Sequence, residues 1–242
     1  MKTVVAAILV SALAACSIPA TQEALPSTEQ YRALLSDPIR TDRDRGMDES
    51  RHPVELLQFA EVRPGMRVLD VSTGAGYTSQ LLALAVGPSG KLWAQTPKPG
   101  QAITERMAAH PQANFILAQR PFEDPVPPEA VPLDLVTLVL NYHDISYLPV
   151  DRDVMNRKIY AALKPGGHYV IVDHSALPGT GITAGKTLHR IEEAFVVDEV
   201  KRAGFALEAE GAFMRDPADT REGSSNNAKP PSDKFVLRFV KR

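Results

Sequence analysis

The sequence predicts an α/β fold: a doubly wound sheet, mostly parallel, that ends in an antiparallel strand. Three observations predict it. Strand-like and helix-like segments alternate from Arg67 to Asp173, the pattern that builds parallel sheets from strand–crossover–strand units. The run "LDLVTLVL" is apolar at nearly every position, as strands buried on both faces are. Near the end, "FALEAEGAFM" and "DKFVLRFV" are separated by a polar loop and no helix, which predicts an antiparallel pair at the sheet edge.

Composition narrows the function classes. The chain has 242 residues, 44% apolar and 23% charged, with a formal net charge of -2. A charge so near zero gives no field that would draw nucleic acid or an anionic membrane surface. The N-terminus stands apart. "MKTVVAAILVSALAAC" has one early cation and an apolar run too short to span a bilayer, the layout of a secretory signal. Small residues before Cys16 resemble the bacterial lipoprotein cleavage site. That resemblance implies a signal peptide over 1–15, lipidation of Cys16, a tether over 16–27 and a domain over 28–242. The protein would be exported to the periplasmic face, meeting the membrane only through its lipid. Cys16 is the only cysteine, so the body holds no thiolate metal cage and no cysteine nucleophile.

The elements follow in order. A helix is expected over Thr28–Leu35, and "DPIRTDRDRGMDESRHP" reads as a charged, turn-rich segment. "VELLQFAEV" has helical apolar spacing and stops at Arg63-Pro64-Gly65. Strands are expected over Arg67–Val71, Lys91–Gln95, Asn114–Ala118, Leu133–Leu140 and His168–Asp173. Helices are expected over Thr78–Ala85, Gln101–Ala109, Asp151–Leu163 and Lys186–Arg202, while Phe122 to Pro132 is proline-rich and reads as helix-free.

The first strand leads into "VLDVSTGAG". Glycines let the backbone approach a ligand closely, and a helix start offers free N–H groups. Thr78 or Ser79 is the expected cap of that helix. Strand, acid and glycine turn together resemble the first motif of class I S-adenosylmethionine-dependent methyltransferases. "GKLWAQ", "LDLVTLVLNYHD" and "ALKPGGHYVIVDH" are similar to their later strands, and the closing antiparallel pair fits too. Within that family, "NYHD", "LKPGG", "VDH" and "LHRIEE" look like exported bacterial proteins described as predicted methyltransferases. The resemblance covers roughly Val54 to Val240 and implies a Rossmann-like seven-stranded sheet with S-adenosylmethionine as cofactor. It implies that Asp70, Ser72, Gly74 and Gly76 line the cofactor, with Gln95, Thr96, Glu123 and Asn141 completing its site. The sequence departs from the family at three places: Ser72 replaces a glycine, Thr96 stands where a ribose-binding acid is usual, and Arg120 falls near a usual acid.

The polar groups after the fourth and fifth strands form the catalytic candidates. "NYHD" and Asp173-His174 would share the carboxyl edge of the sheet with the glycine turn. His143 is the candidate base, with Asp144 or Asp173 orienting it and His174 beside them. These residues together with His189 are also potential metal ligands, although no close motif spacing supports a metal. His168 opens its strand and is expected at the opposite end. Arg40, Arg43, Arg45, Arg51 and His52 precede the domain, where they would meet a carboxylate or form a solvated face. The leading expectation is methyl transfer to a small-molecule acceptor. A catalytically inactive binding protein of the same fold and an NAD-dependent oxidoreductase are the alternatives.

Overall fold

The computed structural model describes residues 24–229 and 231–242. The signal-peptide segment and Cys16 lie outside the described residues. In chain order the helices are α1 (Thr28–Leu34), α2 (Asp42–Arg51), α3 (Pro53–Phe59), α4 (Tyr77–Val86) and α5 (Gln101–Ala109). They continue as α6 (Tyr142–Ser146), α7 (Arg152–Ala162), α8 (Gly185–Leu188) and α9 (Glu193–Arg202). The strands are β1 (Arg67–Val71), β2 (Lys91–Thr96), β3 (Phe115–Gln119), β4 (Leu133–Val139), β5 (Leu163–His174), β6 (Ala206–Gly211) and β7 (Lys234–Val240).

One seven-stranded sheet runs in the order β3-β2-β1-β4-β5-β7-β6. β1 to β5 pair in parallel, and β7 is antiparallel to both β5 and β6. This is the expected fold class. The strands are apolar on both faces because both are covered. Leu69, Val71, Val136, Leu138 and Ile171 pack on one side with Met155 and Ile159 of α7 and Val196 and Val200 of α9. Val68, Leu92, Leu135 and Val170 pack on the other with α1, α3 and α4 through Tyr31, Leu57 and Leu82. The two-residue alternation along β1 thus sends neighbouring side chains to opposite layers.

Four expectations change; β5 begins at Leu163 rather than His168, a 3-10 turn forms at Pro128–Ala130 in the proline-rich stretch read as helix-free, and two helices depart from the reading. The segment read as turn-rich contains α2, a full helix from Asp42 to Arg51. It carries almost no apolar stripe, so hydrophobic spacing could not reveal it. Its N-terminus is fixed instead by a reciprocal cap, Thr41 Oγ1 accepting from the Asp44 N–H and Asp44 from the Thr41 N–H. The single helix expected over Lys186–Arg202 is two helices, α8 and α9. His189 breaks it with a φ of 51°, and Ile191 then pairs with Ser175 beside the sheet.

Candidate active site

The β1–α4 turn is built from three left-handed backbone positions: Ser72 at φ 61°, Gly74 at 55° and Gly76 at 85°. Glycine takes this conformation without strain; serine does so at a cost. Ser72 is held there by three contacts. Its N–H donates to Gln95 Oε1 at 3.0 Å, its hydroxyl donates to Asn141 Oδ1 at 2.8 Å, and the next N–H, of Thr73, reaches the Gln95 carbonyl at 2.9 Å. Gly76 is required by space as well: a Cβ there would lie 2.7 Å from Ile103 Cδ1. A Cβ on Gly74 would meet nothing within 4 Å. Gly74 faces a cavity of about 240 Å³ lined also by Ser72, Thr73, Ala75, Thr78, Arg43, Arg51 and Asn141.

Helix α4 starts at this cavity with Gly76 as its N-cap and no side-chain cap. Of the two expected caps, Thr78 lines the cavity and Ser79 is engaged elsewhere. Its hydroxyl donates to Asp70 and accepts from Thr73. The first-turn amides of α4 therefore remain for an acceptor group in the cavity. Asp70 is nearly inaccessible and also accepts from Thr137 Oγ1 at 2.7 Å. Burial pushes its pKa up to about 6, against the pull of the two hydroxyl donors. It braces the floor of the turn more than it presents a charge to a ligand.

The expected ribose-side residues are placed differently from one another. Gln95 is fully buried, and its amide spans Ser72 and the Arg120 carbonyl. It supports the turn and is not displayed toward a ligand. Thr96 is partly exposed at the end of β2, its hydroxyl donating to the Lys98 carbonyl at 3.2 Å. Glu123 lies in the loop after β3, half-buried. Arg120 is ion-paired with Asp124.

Sequence reasoning missed the contribution of α2. Arg106 of α5 donates to the Ala75 carbonyl at 2.9 Å and grips Asp44 through both terminal nitrogens, at 2.9 and 2.7 Å. Arg40 pairs with Asp48, which also accepts from the Tyr77 hydroxyl at 2.7 Å. One ion pair, Arg106–Asp44, and one hydrogen bond, Tyr77 to Asp48, thus fasten α2 across the glycine turn. The signal was present as Thr41 with Asp44 three residues later, a capping-box spacing. Of the five basic residues before the domain, Arg40 is structural and Arg45 caps backbone carbonyls. Arg43 and Arg51 line the cavity and carry no ion pair among the described residues. Burial lowers the Arg51 pKa.

The catalytic candidates do converge. His143 is buried, its N–H donating to Asp173 Oδ2 at 2.8 Å and its Nδ1 lying 2.6 Å from Asp173 Oδ1. Its Nε2 is 3.3 Å from Asp144 Oδ1, and His189 Nδ1 is 3.4 Å from that same oxygen. The His174 and His189 rings both meet His143 edge-on, at 5.8 and 5.6 Å. Burial disfavours charge on His143, but hydrogen bonds with Asp144 and Asp173 outweigh it and raise the pKa to about 9. Asp144 is likewise opposed by burial yet held down to about 2 by His143, Tyr147 and His189. The neutral base expected at His143 is therefore, with these groups alone, a cation at neutral pH. His174 goes the other way: burial, then Lys234 and the other nearby cations, lower it to about 3, and its Nδ1 bonds Ser232 Oγ at 2.7 Å.

The remaining candidates separate from the site. His168 pairs with Glu208 at the opposite end of the sheet. Tyr142, one residue before His143, is buried in the core with its hydroxyl on Glu199. Tyr147 is exposed and donates to Asp144 at 2.7 Å.

The protein-L-isoaspartate(D-aspartate) O-methyltransferase family matches residues 44–95, the span from α2 to β2 that builds the cavity. A protein-L-isoaspartate O-methyltransferase of Methanothermobacter thermautotrophicus is 28% identical over 72 residues, 30% of this chain and 33% of that protein. This match thus spans a third of that relative's length. The enzyme of the same name from Ignicoccus hospitalis is 27% identical over 162 residues, 61% of this chain and 76% of the relative. Among solved structures, a methyltransferase dependent on S-adenosylmethionine from Aquifex aeolicus superposes with a TM-score of 0.60 at 18% identity, covering 89% of this chain and 99% of that one. An S-adenosylmethionine-dependent methyltransferase from Mesorhizobium loti gives 0.57 at 17%, covering 81% and 100%. The fold is that of the class I methyltransferases. The family match falls on the glycine-turn half of the site and leaves out Asn141 to Asp144, Asp173, His174 and His189.

Proposed function

We propose that this protein transfers a methyl group from S-adenosylmethionine to a small-molecule acceptor bound beside His143, Asp144, Asp173 and His174. The observation that carries the reading is the turn from Ser72 to Gly76. It opens onto a cavity with an uncapped helix start and the cations Arg43 and Arg51, which carry no ion pair among the described residues, a surface suited to the cofactor's amino-acid end. The protein-L-isoaspartate(D-aspartate) O-methyltransferase family matches over this same region.

Methyl transfer is an in-line displacement at a sulfonium carbon, so alignment and exclusion of water supply most of the catalysis. Asn141 connects the two halves of the site. Its side chain accepts from Ser72, and two residues later the chain places His143 against Asp173. Asp173 is a positioning residue that fixes the orientation of His143. The relatives' names point to a protein carboxylate as acceptor. The family match stops at residue 95, however, before any acceptor-side residue, and the burial of His143 favours a small acceptor that can enter the cleft. The oxidoreductase alternative is disfavoured by the end of β2, where Gln95 is committed to the turn and no acid follows.

The test is a thermal-shift series. S-adenosylmethionine and S-adenosylhomocysteine should each raise the melting temperature in proportion to the logarithm of their concentration, and NAD should not. A shift with NAD alone, or none with the sulfonium at millimolar concentration, would overturn the reading.

A further inference from the structure

In one group of side chains, two contacts are longer than charge-assisted hydrogen bonds usually are. Ligand atoms of His143, Asp144 and His189 all lie within 4.8 Å of one another. Asp144 Oδ1 is 3.3 Å from His143 Nε2 and 3.4 Å from His189 Nδ1. Charge-assisted hydrogen bonds are shorter, about 2.7–2.9 Å. Nitrogen and oxygen ligands at about 2.0–2.2 Å from a tetrahedral metal stand roughly 3.3–3.5 Å apart, which is the spacing of both pairs that share Asp144.

We propose that His143, Asp144 and His189 bind a divalent first-row metal ion of the zinc type, with one coordination position open. Two imidazoles and one carboxylate are a donor set suited to such ions, and three protein ligands with a free position mark a reactive site more than a structural one.

Three further observations support the site. Asp173 occupies Nδ1 of His143 at 2.6 Å and its N–H at 2.8 Å. That fixes the ring with Nε2 turned to Asp144, the carboxylate–histidine–metal arrangement that orients such ligands. A carboxylate on each side of one imidazole also demands a positive charge between Nε2 and Asp144, which a metal ion supplies as well as a proton does. Finally, His189 is held at φ 51°, a strained conformation for a non-glycine residue, with its carbonyl accepting from Ser225 Oγ at 2.9 Å. Strain of this kind collects at functional positions, and here it turns the ring toward Asp144. The side chains of His189 and Asp144 are about one-third exposed, at 33% and 32%, so an ion can reach them from solvent. Tyr147 donates to the same Asp144 oxygen at 2.7 Å, and it would pass to the other carboxylate oxygen on metal binding.

The chemical role rests on the methyl-transfer reading. An acceptor hydroxyl in the open position would lose its proton to solvent more readily. Its oxygen would form the new O–CH3 bond as the S–CH3 bond breaks, with the bonding pair remaining on sulfur.

Binding itself is tested without cofactor. An untagged full-length chain carrying Cys16→Ser, which removes its only thiol, is stripped with chelator and titrated with Co²⁺ by visible absorption. One equivalent should bind with the bands of four-coordinate cobalt and be displaced by Zn²⁺. Asp144→Ala and His189→Ala should each weaken binding at least tenfold, while the exposed control Glu222→Ala should not. Both ligands are partly exposed, and circular dichroism verifies that the variants fold. Absence of saturable one-equivalent binding in the chain with all three ligands would overturn the site, as would unchanged affinity in both ligand variants. Neither result depends on S-adenosylmethionine, so failure here leaves the cofactor reading to stand or fall on its own test.

Discussion

The Ser72 hydroxyl donates to Oδ1 of Asn141 across 2.8 Å, joining the glycine turn after β1 to the chain after β4. The contact explains why serine stands at a position with a φ of 61°. The left-handed conformation costs a non-glycine residue roughly 1–2 kcal/mol, and a hydrogen bond returns about 0.5–1.5 kcal/mol. Ser72→Gly removes both and should change stability by less than about 1 kcal/mol. Ser72→Val keeps the strain, adds a branched Cβ and loses the bond, and should cost about 2–3 kcal/mol. Urea unfolding of both variants checks the pair. Equal losses would show that the contact does not offset the strain.

The two glycines of the turn should fail in different ways. An added methyl on Gly76 collides with Ile103 and Arg106 inside the protein, whereas on Gly74 it enters open space. Gly76→Ala should therefore destabilise by roughly 2–4 kcal/mol through overpacking and strain. Gly74→Ala should mainly weaken S-adenosylmethionine binding, because Gly74 lines the cavity. Melting temperature and calorimetric affinity, measured on both, separate the effects.

Arg106 and Asp44 form a buried ion pair that holds α2 over the turn, with side-chain exposures of 9% and 1%. Removing one partner strands the other, so Arg106→Met should cost about 3–5 kcal/mol. The pair also sets a pH dependence. Burial would raise the Asp44 pKa, but Arg106 and the Thr41 contacts outweigh it and leave it below its ordinary value. A carboxyl with a depressed folded pKa contributes stability that is present above its unfolded pKa of about 3.9 and lost as the pH falls below that. Acid titration of stability should show this loss in the native chain and lose that component in Arg106→Met. A profile that is the same in both would exclude the pair as its source.

Arg51 lines the cavity and has no acidic partner among the described residues. A partly buried cation without a counter-ion favours a carboxylate ligand. Arg51→Gln should weaken S-adenosylmethionine binding by about tenfold or more, the loss of one charge-assisted bond, with little change in melting temperature. Unchanged affinity would show that Arg51 faces the acceptor or solvent instead.

Much of this architecture was legible in the sequence because a parallel sheet is written in continuous apolar runs. "RVLDV" and "LDLVTLVL" became β1 and β4 with boundaries within one residue. The glycine turn was legible through Gly74 and Gly76, and the shared edge of His143, Asp144, Asp173 and His174 followed from topology. Helix α2 was not legible by hydrophobic spacing, since its caps, an ion pair to Arg106 and a hydrogen bond from Tyr77 stabilise it. Nor was the break at His189, because no glycine or proline marks that left-handed position. Gln95 shows a third limit: its chemistry suits a ribose, but its neighbours, which sequence does not reveal, take both ends of its amide. His143 shows a fourth. Its proximity to acids was foreseeable, but having one at each ring nitrogen was a matter of geometry.

The most direct test of the central claim is calorimetric titration of S-adenosylmethionine into the full chain and into Gly74→Asp. One saturable site is expected in the native chain and none in the variant, where a carboxylate fills the cavity of a still-folded protein. No binding to the native chain, or equal binding to both, would contradict it.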